Sequence, residues 1–322
     1  MVGVIDSVAG ENYQIYNGDC VEVASGLPDE SVGFVIYSPP FSSLYTYSNS
    51  DRDMGNCRSD EEFFAHFDFL ISELYRVLKP GRIMAVHCMN LPTSKQNDGF
   101  IGIKDFRGDL IRAFQAKGFI YHSEVCIWKD PVIAMQRTKA IGLLHKQLQK
   151  DSTISRQGIP DYLVVMRKPG VNPDPVDGPL YYFVGDDNLP DQTESKRDDG
   201  SIAKIPNGSA TVIDVWQRYA SPIWMDINQT RTLQFTSARD SDDERHICPL
   251  QLDVIERAMQ LWSKPGDVVF TPFLGIGSEA YVAVKMGRKA IGSELKPSYF
   301  KLAARNLKDA ENSQYDLFGG AA

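Results

Sequence analysis

Two short stretches carry side chains whose types and spacing could do chemistry. The first is Ser38-Pro39-Pro40-Phe41, which follows the apolar run Val32–Tyr37. Proline fixes its own backbone angle, so two in succession make a rigid corner. Such a corner can aim the Ser38 hydroxyl and a main-chain carbonyl into a cleft. Two acceptors side by side can hold both hydrogens of an exocyclic NH2 and turn the nitrogen lone pair towards an electrophile. Phe41 then offers a face on which a planar base can stack.

The second stretch is Thr271-Pro272-Phe273-Leu274-Gly275-Ile276-Gly277-Ser278, set between a short strand and a helix. Glycines there let a ligand approach the backbone and free the amides at the helix N-terminus. Glu294 follows 17 residues after Gly277, at the end of the next strand. An acid in that place can accept hydrogen bonds from both hydroxyls of a ribose. The pair predicts an adenosine-containing cofactor. Gly275-x-Gly277-x-x-Ala280 also fits the loose dinucleotide fingerprint, and a glycine turn needed only for packing is the plainer reading. A P-loop is excluded, because no Lys-Ser/Thr follows the second glycine. A dinucleotide would need a second mononucleotide unit, and only one helix follows, which favours a smaller adenosine ligand.

The elements that must position these stretches read as alternating strands and helices. Val4–Ile15 suggests a strand or hairpin, Val21–Leu27 a turn of helix, and Val32–Tyr37 a strand covered on both faces. Ser59 is a helix N-cap with Glu62 three residues on, and Phe63, Phe67, Leu70, Leu74 and Leu78 repeat at helical spacing. Strand 83–87, helix 106–117 and strand 121–128 follow. The pattern resumes with helix 250–262, strand 268–270, helix 278–286, strand 289–293 and helix 299–309. This order predicts an α/β fold with a doubly wound, mostly parallel sheet.

The chain has 322 residues, 43% hydrophobic and 24% charged, with a net charge of −8. These values suit a globular protein with a sizeable core. No apolar run reaches membrane-spanning length and no basic-then-apolar leader opens the chain, so a cytoplasmic protein is expected. Cys20, Cys57, Cys88, Cys126 and Cys248 form no C-x-x-C pair and no zinc spacing, so no metal is expected and the thiols are read as reduced. The overall acidity speaks against a nucleic-acid partner, but says little about local patches. Residues 129–168 hold eight Lys/Arg against three Asp, and residues 171–215 hold three basic against nine acidic residues. The division expected is 1–130, a catalytic half; 131–245, an inserted region for DNA contact and target recognition; and 246–322, a cofactor-binding half. Within the insertion Arg137, Lys139, Lys146, Lys150 and Arg156 are the candidate phosphate contacts. Trp216, Tyr219 and Trp224 could read bases, or be ordinary core.

"SPPF" together with "TPFLGIGS" resembles the DNA amino-methyltransferases that modify adenine N6 or cytosine N4 with S-adenosylmethionine. "NGDC" at 17–20, "LKPGR", "IWKD" at 127–130 and the run from His246 through Ser278 match that family's usual order, over roughly 4–130 and 245–308. The order, catalytic tetrapeptide first and cofactor loop last, resembles the beta class, a circular permutation of the Rossmann-like methyltransferase fold. The resemblance implies that Ser38 and Pro40 orient the amine, with Pro39 in the same turn, and that Phe41 stacks on the base. It implies that Phe273, Gly275 and Gly277 shape the methionine end of the cofactor site, that Thr271 and Ser278 belong to the same site, that Glu294 holds the ribose, and that Asp19 and Cys20 lie near the adenine ring. Thr271 stands where an Asp is usual, Ser278 where Thr is common, and Ser38 where adenine enzymes carry Asp.

The implied activity is site-specific methylation of double-stranded DNA, as in restriction-modification, by direct transfer to a flipped-out base. Adenine N6 is the expected target and cytosine N4 the alternative. Cytosine C5 methylation is disfavoured, since it needs a cysteine nucleophile in a Pro-Cys turn. A methyltransferase acting on RNA or protein, a non-catalytic DNA-binding protein and a nicotinamide oxidoreductase are the other readings. A homodimer is expected from the resemblance alone.

Overall fold

In a computed structural model, the described residues are 3–41, 53–96, 98–132, 134, 145–177, 194–196, 202–204, 212–234 and 249–317. The strands are β1 (Asp6–Ala9), β2 (Tyr13–Asn17), β3 (Val32–Tyr37), β4 (Leu78–Met89), β5 (Leu91–Pro92), β6 (Ile103–Lys104), β7 (Ile120–Ile127), β8 (Asp161–Arg167), β9 (Glu194–Lys196), β10 (Ile202–Lys204), β11 (Ile223–Trp224), β12 (Val268–Thr271) and β13 (Lys289–Glu294). The helices are α1 (Cys20–Ser25), α2 (Asp60–Val77), α3 (Phe106–Ala116), α4 (His145–Leu148), α5 (Val212–Tyr219), α6 (Leu252–Trp262), α7 (Ser278–Lys285) and α8 (Pro297–Leu317).

Nine strands form one sheet in the order β1-β2-β13-β12-β3-β4-β8-β7-β11. Only β1, in a hairpin with β2, and β8, between β4 and β7, run against the rest. Both sheet faces are covered, which is why β3 is apolar at every position. Phe34 and Ile36 point into a core built with Val254, Ile255 and Ala258 of α6 and Ala280 and Ala283 of α7. Val35 and Tyr37 point the other way, into a core with Phe63, Phe67 and Leu70 of α2 and Leu110 and Phe114 of α3. The alternation follows from the period of two in a strand.

Helix α2 shows how local chemistry sets these elements. The Ser59 hydroxyl accepts from the Glu62 amide at 3.2 Å, and Glu62 accepts from the Arg58 amide at 2.7 Å. Leu78 then turns extended, two residues before Pro80, and the chain enters β4. On β4, the buried Arg82 pairs with buried Asp267, just before β12, and donates to the Gly33 carbonyl at 2.8 Å. This ion pair ties the two halves of the sheet together.

The expected inserted region 131–245 is not separate from the sheet. It contributes β8 to the interior of the sheet and β11 to its edge. Trp224 on β11 and Tyr219 on α5 are fully buried and pack on the Arg257 guanidinium, so these two rings are core rather than base readers. Trp216 is exposed. Among the described residues, no helix is long and apolar enough to cross a membrane.

Candidate active site

Strands β3 and β12 are parallel neighbours, with Val269 opposite Phe34 and Phe270 opposite Val35. Their carboxyl ends therefore lie on the same edge of the sheet. From β12 the chain crosses through α7 to β13 on one side, and from β3 it crosses through α2 to β4 on the other. Opposite windings part at the β3/β12 boundary, which opens a crevice there. The proline corner and the glycine loop flank it.

A cleft open to solvent fills that crevice. Ser38, Pro39, Pro40 and Phe41 line it, together with Phe273, Gly275, Ser278, Glu294, Asp19 and Cys20. The Tyr37 ring packs on Phe273 at 5.7 Å and holds the two walls in register. Phe41 stands edge-on to Phe106 at 6.2 Å, which fixes its ring at the cleft wall.

On the glycine side the backbone does most of the positioning. Gly275 has φ +54 and donates its amide to Glu294 Oε2 at 2.8 Å. Glu294 Oε1 accepts from the Lys296 amide at 2.8 Å. Burial pushes the Glu294 carboxyl up to about 7, against the pull of these two amides. Gly277, with φ +93, caps α7, and a side chain there would press on Ala303. Asp19 caps α1 by accepting from the amides of Val21 and Glu22 at 2.8 and 3.2 Å. The Gly18 amide donates to the Glu294 carbonyl at 3.1 Å and joins this turn to β13. Burial, then the nearby Asp19 and Glu294 charges, drive the Cys20 thiol well above its ordinary value, so it is no nucleophile.

Two expected cofactor contacts fall outside the cleft lining. Thr271 is buried beneath the loop, and its Oγ1 has no hydrogen-bond partner among the described residues. Gly277 acts through its backbone conformation rather than as a wall. Of the candidate phosphate contacts, Arg137 and Lys139 lie outside the described residues. Lys146 and Lys150 are exposed, Arg156 is half-buried with its guanidinium bonded to the Gln157 carbonyl at 2.9 Å, and none of these three lines the cleft.

The structure adds residues that the sequence did not single out. Asp53, Met54, Leu250, Glu279 and Lys296 also line the cleft. Burial pushes the Glu279 carboxyl up to about 8. Behind the proline corner, Ser38 Oγ lies 3.1 Å from His87 Nδ1, and His87 Nε2 lies 3.2 Å from Asp161 Oδ2. Lys129 Nζ sits 2.5 Å from Asp161 Oδ1. The run Tyr162–Met166 after Asp161 carries the continuous apolar signature of a covered strand, and could have revealed β8 within the basic segment.

The structure thus brings the proline corner and the glycine loop to one cleft. A sequence profile for DNA methylases of the N6/N4 methyltransferase group matches residues 32–305. The Type II methyltransferase M.BglII of Bacillus subtilis is 26% identical over 297 residues, which span 91% of this chain and 68% of that one. TTHA0409 of Thermus thermophilus superposes with a TM-score of 0.59 at 21% identity, over 92% of this chain and 94% of that one. The cytosine-N4-specific PvuII DNA methyltransferase superposes with a TM-score of 0.56 at 14% identity, over 96% and 94%. The last two likenesses are of fold. The chain belongs to the N6/N4 DNA methylase family.

Proposed function

We propose that the protein moves a methyl group from S-adenosylmethionine to the exocyclic amine of a base flipped out of double-stranded DNA. One observation carries this reading: the proline corner and the glycine loop line a single cleft. The related fold of TTHA0409 has been solved with S-adenosyl-L-methionine, which supports the choice of cofactor.

The residues present fit that cofactor. Each Glu294 oxygen accepts one backbone amide, which leaves a lone pair on each for a ribose hydroxyl. Gly275, Phe273 and Ser278 line the cleft and are assigned to the methionine end, and Asp19 and Cys20 border the same cleft towards the end of β2. The cleft is bordered by both the proline corner and the glycine loop, so a base can lie beside the cofactor. The bound cofactor would supply an electrophilic methyl group on a sulfonium.

The chain's own residues then position the acceptor. Ser38 Oγ and a carbonyl of the Pro-Pro turn take the two amine hydrogens, and Phe41 stacks on the ring. Extruding the base costs a few kcal/mol, about the scale of unstacking. Ser38 is a weak base, so orientation is the main source of rate. Residues 131–245 are assigned to DNA contact, with Lys146, Lys150 and Arg156 as phosphate partners and Arg137 and Lys139 beside them in sequence.

For the target we take adenine N6, on the strength of Phe41 at the fourth position of the tetrapeptide. Cytosine N4 is the second reading, and Ser38 in place of Asp favours it. The test is to treat duplex DNA with methyl-labelled S-adenosylmethionine and analyse the nucleosides. N6-methyladenine supports the first reading and N4-methylcytosine the second. Label in RNA or protein but not in DNA overturns both. A homodimer belongs to the same proposal and is checked by sedimentation.

A further inference from the structure

We propose that His87, held by Asp161, draws the Ser38 hydroxyl proton out of the cleft and so makes Ser38 an acceptor for the target amine. His87 is thereby a positioning residue, and this assignment rests on the amine-methylation reading above.

A serine hydroxyl has one hydrogen and two lone pairs, and it can turn either towards a ligand. An amine whose hydrogens must both be held requires lone pairs. Nothing in the Pro-Pro corner alone makes that choice. His87 makes it. Its Nδ1 is 3.1 Å from Ser38 Oγ, and its Nε2 is 3.2 Å from Asp161 Oδ2. In this arrangement the Asp161 carboxylate, which can only accept, keeps the ring hydrogen on the Nε2 side, and Nδ1 is the bare acceptor. A bare Nδ1 takes the Ser38 hydrogen, and the Ser38 lone pairs are left to the cleft.

Asp161 is kept in the form this needs. Burial acts to raise its carboxyl, but Lys129 at 2.5 Å and His87 together hold it below its ordinary value. His87 and Asp161 are both buried, so their contact is screened little by water. The sheet sets the geometry. Tyr37 lies opposite Val86, and Asp161 lies opposite both Met89 on β4 and Ile127 on β7, so Ser38, His87, Asp161 and Lys129 converge at the tips of four adjoining strands. This relay of one hydrogen bond and two close charged contacts would supply what a carboxylate at position 38 would supply by itself.

The decisive comparison is between His87→Asn and His87→Gln. The Asn Oδ1 falls near the position of Nδ1 and can still accept from Ser38, whereas the Gln amide falls near Nε2 and faces Asp161. His87→Asn is expected to keep most of kcat on duplex DNA, and His87→Gln to lose ~10-fold or more, with cofactor affinity by calorimetry unchanged in both. His87→Ala added to Ser38→Ala should cost nothing further. Equal activity in the Asn and Gln variants, or losses that add in the double variant, overturns the assignment. A second readout needs no turnover: in 15N-labelled protein the His87 Nδ1 resonance should be that of an unprotonated acceptor and should move in Ser38→Ala. A protonated Nδ1 overturns the proposal. Wild-type protein that fails to methylate DNA would instead count against the reading of the function, and the resonance would still decide the role of His87.

Discussion

The Tyr37 ring lies 5.7 Å from the Phe273 ring, at a 44° tilt. This contact joins the last residue of the strand that ends in the proline corner to the loop that carries the glycines. Phe273 also stacks on Phe67 of α2 at 6.5 Å, so the cleft is braced from the core beneath it. Tyr37 is fully buried, and its loss leaves a cavity under both walls. Tyr37→Ala is expected to cost about 3–5 kcal/mol in urea denaturation. Phe273 is partly exposed, so Phe273→Ala should cost less stability yet weaken cofactor binding in calorimetry.

On the proposed reading, Ser38→Ala removes an amine acceptor but no part of the glycine side. Turnover should fall by about 100-fold, the scale of a lost orienting contact. Cofactor affinity should stay within about two-fold of wild type. Labelled-methyl incorporation and isothermal titration on the same preparations check the split.

On the proposed reading, Glu294 gives cofactor binding a pH dependence whose sign follows from its raised carboxyl. Its carboxyl sits at about 7 because burial opposes ionisation. Ribose hydroxyls donate to the ionised form, so affinity should fall roughly ten-fold per pH unit below that value and level off above it. Glu294→Gln should bind weakly and with a flat profile between about pH 6 and pH 8. A wild-type profile that is flat across this window would remove Glu294 from the site.

Glu279 acts on the stability of the fold. Its folded value, about 8, is above the ordinary 4.5, because burial disfavours the charge. The folded state therefore holds this proton more tightly than the unfolded chain. The stability it contributes is present below the ordinary value and is lost as pH rises towards about 8. Glu279→Gln should melt with wild type near about pH 5 and above it near about pH 8, by roughly 2–4 °C for each kcal/mol recovered. Scanning calorimetry of the ligand-free protein at the two pH values checks this.

Much of the fold was legible because its signals are local. The all-apolar run 32–37 announces a strand covered on both faces, and Ser59 with Glu62 announces the start of α2. The glycine loop could be read from short spacing, since the need for positive φ at Gly275 and Gly277 depends only on the nearby backbone. The antiparallel β8 was hidden for a physical reason. Its Asp161, Arg167 and the neighbouring Lys168 read as surface charge, although both Asp161 and Lys168 are buried, Asp161 against Lys129 and Lys168 hydrogen-bonded to the Leu78 carbonyl.

The sequence by itself determined the strand, the rigid corner, the glycine turn and the acid at the end of the following strand, because each is set by residues near one another along the backbone. Only the tertiary structure decided that the corner and the turn share one edge, that Thr271 sinks beneath the loop, and that His87, Asp161 and Lys129 gather behind Ser38. Those meetings depend on strand order and register. A strand buried on both faces is apolar throughout, so its composition leaves its neighbours and its register open until the sheet is assembled.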